Sequence, residues 1–345
     1  MKNLQTYRSE FDTLSSQEDI DLEKAIRSVK KFVESSDKIS DLSYSTRDAH
    51  AKTYATVKAQ LHVSKDLPAF INEIFNEESY EVTARFSNGN LVVNKTGREM
   101  PLYGFSLKIK NVQGRDVNYP LVNFPLFPTN SPSVFLKLFT SVNTFLVTKA
   151  DNFVVAALDL PHLFKNAASL VGGMLTVDVR KSIWNLLGKW KDFFFSFDFA
   201  GIGCYRVGNH IMKITLKPIN IDPTIGRKEP QKNSIKWFLS TQDSAFDVML
   251  QFSENLEEQP INDLMTKWKN APEYCLGQII IAKSSLLNSD NPDVENLNFD
   301  PFENKENLQP VGRIQQIRKR VYTASIETRN SLNENLLKIK SSKTL

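Results

Sequence analysis

The sequence predicts an α+β protein in which an antiparallel β-sheet or β-barrel carries inserted helices and a long helix near the C-terminus. Three observations lead to this class. Several segments alternate apolar and polar residues, both ends of the chain show helical periodicity, and no unit of 20 to 50 residues repeats. The composition, with 41% hydrophobic and 24% charged residues, is typical of a globular protein.

The first predicted element is an amphipathic helix over residues 15–35, "SSQEDIDLEKAIRSVKKFVES". A serine cap and early acidic residues precede apolar residues at helical spacing, namely Leu22, Ile26, Val29 and Val33. We therefore divide the chain into an N-terminal helical arm, residues 1–40, and a second, larger domain, residues 41–345, which includes the predicted C-terminal helix.

Strand-like periodicity begins near residue 50. The predicted strands lie in "HAKTYATVKAQLHV", "YEVTARFS", "LYGFSLKIKNV", "YRVGNHIMKITLKP" and "GQIIIAK". Residues 163–195 have a helical texture interrupted by "VGG", and residues 288–310 form a polar loop region. A last helix is predicted from Pro310 to about Ile339. Together these segments describe a barrel with helices inserted and appended.

Charge and cysteine content exclude several functions. A net charge of +4 without a concentrated basic stripe does not favour nucleic-acid binding. Cys204 and Cys275 stand alone, and with four dispersed histidines they form no familiar zinc motif. Neither a secretory signal nor an apolar run of about 18 residues is visible, so we expect a reduced cytoplasmic protein without a membrane span.

The predicted C-terminal helix contains "RKRVYTASIETR", which places Arg318, Tyr322 and Arg329 within an arc of about 40° on one face. This stripe is typical of a basic surface with a tyrosine at the core edge. It is also compatible with a metal site, because a guanidinium beside a phenol favours the phenolate, which is a hard donor for ferric iron. An arginine further along the face could then bind a carboxylate of a cofactor.

A second candidate lies in "TRDAHAKTYATV", where Arg47 precedes His50 by three residues. Taken locally, His50 could be an ordinary half-buried strand residue or a group that transfers protons in an active site. Nothing within the segment decides between these alternatives.

Set side by side, these segments resemble the haem catalase family. The family's distal strand reads Arg-x-x-His-Ala-Lys, its next strand contains Arg-Phe-Ser, an Asn-x-Pro segment follows, and the proximal helix reads Arg-x3-Tyr-x6-Arg. The matching positions occur here in the same order: Arg47 and His50, Arg85 and Ser87, Asn123 and Pro125, then Arg318, Tyr322 and Arg329. The stretch "VENLNFDP" resembles the family's run ahead of that helix.

The resemblance implies a role for each position. His50 would take a proton from peroxide and return it, Ser87 would orient its imidazole, and Asn123 would steady the bound peroxide. Asn123 could equally be a turn residue before Pro125. Tyr322 would be the iron ligand of a haem b, Arg318 would accompany it, and the groups expected to pair with haem propionates are Arg47, Arg85 and Arg329.

The implied activity is that of a haem-dependent hydroperoxidase, most like the minimal catalase-related haem peroxidases that consist of the catalase core without the C-terminal domain. Its partners would be hydrogen peroxide or a small organic hydroperoxide and an organic electron donor, and the protein would be a monomer or small homo-oligomer. Ala49, where many relatives carry valine, is expected to admit larger substrates. The alternatives are a fatty-acid hydroperoxide isomerase of the allene-oxide-synthase type and a haem-binding protein without turnover.

Overall fold

The protein is an antiparallel β-barrel surrounded by helices. The computed structural model describes residues 3–40, 42, 44–93, 99, 101–124, 126–127, 129–169, 176–288, 294 and 296–342, with the backbone alone for residue 153 and residues 335–342. The strands are β1 (Thr53–Val63), β2 (Ser79–Asn88), β3 (Tyr103–Val112), β4 (Arg115–Val122), β5 (Phe199–Gly201), β6 (Cys204–Val207), β7 (His210–Pro218), β8 (Ser244–Phe252), β9 (Glu273–Ile281) and β10 (Pro310–Val311).

Eight of these strands form a closed ring. Their order is β7-β5-β4-β3-β2-β1-β9-β8, and β8 pairs back with β7 to close the barrel. Every pairing in the ring is antiparallel. Strands β6 and β10 extend the sheet beyond β7. The predicted α+β class with an antiparallel barrel is therefore confirmed.

The helices are α1 (Ser16–Glu34), α2 (Ser36–Ser40), α3 (Ala69–Asn72), α4 (Pro132–Asp151), α5 (Phe153–Ala156), α6 (Leu160–Ala168), α7 (Val177–Gly188), α8 (Gln231–Thr241) and α9 (Arg313–Ser342). The first and last agree with the predicted helices, except that Pro310 and Val311 pair with β6 before α9 begins. The "VGG" interruption at residues 171–173, Pro125 and the predicted domain boundary at residue 41 lie outside the described residues.

Among the described strands and helices of eight or more residues, β4, β8, α4 and α8 were not predicted from the sequence. In β8, the alternation was present, since every second residue from Ser244 to Phe252 is buried. In α4 a helical pattern was also present: its apolar residues lie within a broad arc of about 220°, and Ser, Thr, Lys and Asp residues occupy the opposite side.

The barrel interior is filled mainly by aromatic rings. Phe105 on β3 contacts Phe86 on the neighbouring strand at a centroid distance of 4.7 Å and Phe246 on β8 at 5.1 Å. Phe194 and Phe195, from a short turn before β5, are fully buried in the same cluster. The many phenylalanines thus form one core that joins distant strands of the ring.

Helix α1 packs beside the barrel. Ser15 and Glu18 form a capping box at its N-terminus, with each side chain accepting the other residue's backbone N–H. Its buried residues Leu22 and Ala25 pack with Leu136 of α4 and Ile317 of α9. The predicted division between an N-terminal arm and the barrel domain stays a prediction.

No helix within the described part of the chain is long and apolar enough to cross a bilayer. Cys204 and Cys275 are both free thiols.

Candidate active site

A cavity of about 270 Å³ lies between the segment before β1, strands β2–β4, and helices α4 and α9. Its walls are largely apolar, with side chains from α4 and α9 such as Phe135, Phe139, Ile314 and Val321. Polar side chains converge on it from both ends of the chain: Arg47, Asp48, His50, Arg85, Arg318, Tyr322, Ser325 and Arg329. Six of the eight predicted site residues therefore line this one cavity.

His50 has an unusual backbone conformation. Its φ of 51° lies in the left-handed region, which is costly for residues other than glycine and clusters at functional sites. The Nδ1 atom of its ring lies 3.3 Å from the Ser87 hydroxyl, which is also 3.4 Å from the carbonyl oxygen of Gly104. If the hydroxyl donates to that carbonyl, it accepts from Nδ1–H, and Nε2 is then the basic nitrogen. Ser87 thus contacts the ring at Nδ1, and its role in orienting the imidazole, which the resemblance implied, stays a prediction.

Gly104 makes room for the His50 ring. A Cβ atom at this position would lie 2.6 Å from His50 Nδ1 and 2.7 Å from the Ser87 hydroxyl. Residue 104 stands opposite Ser87 in the pairing of β2 with β3, so the ring packs directly over the backbone of β3. Only glycine permits this close approach.

Burial, together with the nearby positive charges of Arg85 and Arg318, lowers the pKa of His50 from 6.5 to about 4. The imidazole is therefore neutral at ordinary pH. A neutral imidazole can accept a proton, whereas a protonated one cannot.

Tyr322 and Arg318 form a pair on the cavity face of α9. Arg318 Nη2 donates to the Tyr322 hydroxyl at 3.2 Å, and the guanidinium is held by the Ile202 carbonyl at 3.3 Å and Gln315 Oε1 at 2.8 Å. Gln315 is fully buried and also donates to the Ile202 carbonyl at 2.6 Å. Gln315 therefore fixes Arg318, and Arg318 in turn contacts the phenol.

The other three predicted arginines also line the cavity. Arg85 donates to the His50 carbonyl and to the Thr53 hydroxyl, both at 2.8 Å, which connects it to the segment around the start of β1. Arg47 donates to the carbonyl of Leu297 at 2.8 Å, and Arg329 donates to the side chain of Asn298. The segment around residues 296–299 thus bridges the two ends of the site.

Asp48 is the acidic group of the cavity lining. The Ser325 hydroxyl donates to it at 2.6 Å, and burial raises the pKa of its carboxyl, although Arg329 and Arg47 act in the opposite direction. Among the described lining residues there are four guanidinium groups and one carboxyl, so the cavity carries excess positive charge. Such a cavity favours an anionic ligand.

Asn123 is not among the cavity-lining residues. Its Oδ1 accepts from the Tyr103 backbone N–H at 2.8 Å, and its Nδ2 donates to the Pro101 carbonyl at 2.9 Å. The neighbouring Val122 lines the cavity instead. The predicted contact between Asn123 and a bound peroxide therefore stays a prediction, and what the structure describes for its amide is a role in holding the strand end.

Sequence analysis missed Asp48, Gln315 and Ser325 as site residues. Gln315 had one available signal, since it precedes Arg318 by three positions on the same helix and so lies near its face. Asp48 and Ser325 lie 277 positions apart and could not be paired from local patterns.

No cluster of three or more His, Cys, Asp or Glu side chains that could hold a metal ion occurs among the residues described. The expectation of an iron ligand therefore rests on Tyr322, whose phenol oxygen is not one of these four donor types.

Comparison with known proteins identifies the fold. No family model matches the chain, and no curated protein matches it. Among solved structures, a fungal catalase aligns with a TM-score of 0.58 and 16% identity, covering 83% of this chain and 59% of that one. Catalase A from Saccharomyces cerevisiae aligns with a TM-score of 0.56 and 14% identity, covering 83% of this chain and 61% of that one. A bacterial catalase aligns with a TM-score of 0.55 and 14% identity, covering 83% of this chain and 58% of that one.

This chain thus spans about three fifths of the length of the solved catalases that it matches. A likeness at this identity concerns the path of the backbone, and it agrees with the closed eight-strand ring. The protein has the catalase fold.

Proposed function

We propose that this protein is a haem-dependent hydroperoxidase that reduces or disproportionates hydrogen peroxide, with Tyr322 as the ligand of a ferric haem b. The observation that carries the proposal is that His50, Tyr322 and the arginines of the site line one cavity. These groups come from segments some 270 positions apart, and a structural role for each alone would not require a common cavity.

The cavity suits haem in its chemistry. Haem is an apolar ring with two carboxylates and a central iron. Apolar side chains of α4 and α9 would receive the ring, and Arg47, Arg85 and Arg329 would receive the carboxylates. The phenol of Tyr322 is a donor type known for haem iron. When bound, haem would supply the redox chemistry of peroxide cleavage.

His50 would carry the proton. Its imidazole is neutral because burial lowers its pKa to about 4, and the Ser87 contact at Nδ1 leaves Nε2 to accept a proton from peroxide. The same nitrogen would return that proton to the departing oxygen. His50 would thus act first as a base and then as an acid, which is the role that the resemblance to catalases implied.

Arg318 would stabilise the anionic form of Tyr322 by its hydrogen bond and positive charge. A role for Asn123 at the peroxide would require its amide to leave the Tyr103 N–H and the Pro101 carbonyl. We therefore assign proton transfer to His50 and keep Asn123 as a proposed secondary contact.

The first experiment is expression with a haem supply, followed by absorption spectroscopy. We expect a Soret band that changes in Tyr322→Phe, because the ligand is lost. Absence of any Soret band, or an unchanged ligand spectrum in Tyr322→Phe, would contradict the proposed cofactor site. Oxygen release with hydrogen peroxide would indicate catalase activity, and dependence on an organic reductant would indicate peroxidase activity.

The second experiment tests His50. His50→Ala should retain haem and lose peroxide turnover by roughly 10²–10⁴-fold, which is the usual contribution of general acid–base catalysis. His162→Ala is the matched control, because His162 is exposed on α6. Equal turnover in wild type and His50→Ala would exclude the proposed role.

A fatty-acid hydroperoxide isomerase is a second candidate. The apolar lining contributed by Phe135, Leu136 and Phe139 of α4 favours an apolar ligand such as a long-chain substrate. Ala49 argues against this chemistry, because the relatives that rearrange fatty-acid hydroperoxides carry a hydroxyl residue next to the histidine. Incubation with a fatty-acid hydroperoxide and product analysis separates the two. An allene oxide or epoxy alcohol would indicate isomerase, and the corresponding alcohol would indicate peroxidase.

A haem-binding protein without turnover is the remaining alternative, and the His50–Ser87 contact argues against it because haem storage needs no oriented base. We further propose a cytoplasmic location, which suits the two free thiols, and a monomer or small homo-oligomer.

A further inference from the structure

Helix α7 carries large apolar side chains on its solvent side. Among the described residues, eight of the twelve large hydrophobic side chains that are exposed lie between positions 154 and 190. On α7 and the turn after it, Val177 is 53% exposed, Trp184 68%, Leu187 44% and Trp190 45%. Concentrated exposure of this kind marks an interaction surface.

These residues share one face, which is not the face that packs on the protein. Val179 and Ser182 are buried, Ile183 packs with Leu126 and Met265, and Leu186 packs against the barrel core. At about 100° per residue, Val177, Arg180, Lys181, Trp184 and Leu187 fall within an arc of about 120° on the opposite side. We call these five residues the α7 outer face.

The exposed charged residues of α7 and of the turn after it are all basic. Arg180, Lys181, Lys189 and Lys191 are exposed. The two acidic residues nearby are partly buried and bonded: Asp178 accepts from the Lys267 backbone N–H at 3.1 Å, and Asp192 pairs with Arg227 at 2.9 Å.

Trp190 extends the surface beyond the end of α7. Together with Leu187 and Lys191 it lines a shallow depression that also includes Arg227. Apolar and basic groups therefore alternate from the outer face into the following turn.

We infer that the α7 outer face binds the surface of an anionic lipid membrane, with Trp184 and Trp190 at the level of the headgroups. Tryptophan is enriched at membrane interfaces, and helices that lie in the interface combine aromatic and aliphatic residues with lysine and arginine. The positive charges complement anionic lipid headgroups.

Two other occupants fit less well. A two-fold contact between copies of this chain would place the same basic groups against each other, which is unfavourable. A nucleic acid would engage the basic and aromatic groups but would leave Val177 and Leu187 without an apolar partner.

The test is sedimentation of the full-length protein with vesicles of phosphatidylcholine alone and of phosphatidylcholine mixed with phosphatidylglycerol. We expect binding to the mixed vesicles, weakening as salt is raised, with a blue shift of tryptophan emission. The double variant Lys181→Glu/Trp184→Glu should bind the mixed vesicles at least roughly tenfold more weakly than the wild type, because it removes one tryptophan anchor and reverses one charge.

The matched control is Lys236→Glu/Trp237→Glu on α8, which changes an exposed lysine and an exposed tryptophan, 57% exposed, elsewhere. It should bind vesicles like the wild type. Circular dichroism of both variants checks folding, and no peroxide is needed, so the result is independent of the proposed activity.

Several outcomes would overturn the inference. These are no vesicle binding at low salt, equal binding to neutral vesicles, or equal loss in the α8 variant. A change of oligomeric state in Lys181→Glu/Trp184→Glu, or displacement of the protein from vesicles by single-stranded DNA in favour of a DNA complex, would assign the surface to another partner.

Discussion

His50 combines a left-handed backbone, a ring held against Gly104 and a neutral imidazole within a cavity that carries excess positive charge. Each feature has a cost: backbone strain, loss of a side chain at residue 104, and burial of a titratable group. A residue that served only to fill space would need none of them. These features together support a chemical role for His50.

The pKa of His50 predicts how stability depends on pH. In the folded state it is lowered from 6.5 to about 4, so between these values the unfolded chain binds a proton that the folded protein does not. The free energy of unfolding should therefore fall as pH decreases from 6.5 to 4, by up to about 3 kcal/mol from this group. Urea denaturation of the haem-free protein at pH 7, 5 and 4 measures it.

His50→Gln should show a smaller decrease over the same pH range, because it removes the group that gains the proton on unfolding. His162→Gln, which changes an exposed histidine, should decrease like the wild type. An equal decrease in all three proteins would contradict the lowered pKa.

Gly104 gives a second prediction at this scale. In Gly104→Ala the new methyl group would occupy the place of the His50 ring, so peroxide turnover should fall by roughly 10²–10⁴-fold while the Soret band is retained. Gly188→Ala is the control, since a Cβ there meets no atom within 4 Å. Unchanged turnover in Gly104→Ala would mean that the position of the ring does not matter.

Helix α9 is the element that carries three of the candidate site residues. Arg318, Tyr322 and Arg329 all line the cavity, in agreement with the common face predicted from their spacing. The helix is fixed at its start, where Arg313 pairs with Glu18 of α1 at 3.0 Å and its backbone N–H donates to Asn262. Helix α1 therefore supports α9, even though it contributes no side chain to the cavity lining.

Gln315 is the positioning residue of this helix. Gln315→Leu keeps the approximate size of the side chain but removes its hydrogen bonds with Ile202 and Arg318. The Ile202 carbonyl and the Arg318 guanidinium then each lose a hydrogen-bond partner. We expect a loss of about 1–3 kcal/mol in the free energy of unfolding and a shifted haem spectrum, because Arg318 would move relative to Tyr322.

Denaturation and absorption spectra of Gln315→Leu and Gln316→Leu test this point. Gln316 is its neighbour on the same helix, and its replacement should change stability by no more than about 0.5 kcal/mol. Identical spectra in the wild type and Gln315→Leu would show that Arg318 does not depend on Gln315.

For the whole molecule, the tertiary fold brings the two halves of the site together. The segment before β1 and helix α9 are separated by most of the chain, and they meet beside β2, β3 and β4, whose residues line the same cavity. Phe105 contacts rings from β2, β5 and β8, so its side chain links strands across the interior.

Phe105→Ala should therefore lower the free energy of unfolding by about 3–5 kcal/mol, through lost burial and the cavity left behind. Phe164→Ala, at a side chain that is 69% exposed, should change it by no more than about 0.5 kcal/mol. Chemical denaturation of both variants measures the difference, and equal effects would contradict the assigned core.

Local sequence determined the elements whose pattern is one-sided. The apolar positions of α1 and the face shared by Arg318, Tyr322 and Arg329 follow from helical geometry, which relates residues only a few turns apart. The order of the motifs along the chain, which matches that of the haem catalases, then predicted which residues form the candidate site. Helix α4 was not predicted, although its polar residues are also concentrated on one side.

Tertiary structure decided which side chains meet. It bonded the Asn123 amide to the backbone of Tyr103 and Pro101, placed Gly104 under His50, and paired Asp48 with Ser325. None of these contacts is encoded by a period of 2 or 3.6 residues, because each depends on strand register and on closure of the ring. The sequence alone therefore determined the chemical groups of the candidate site, and the closed barrel decided their arrangement.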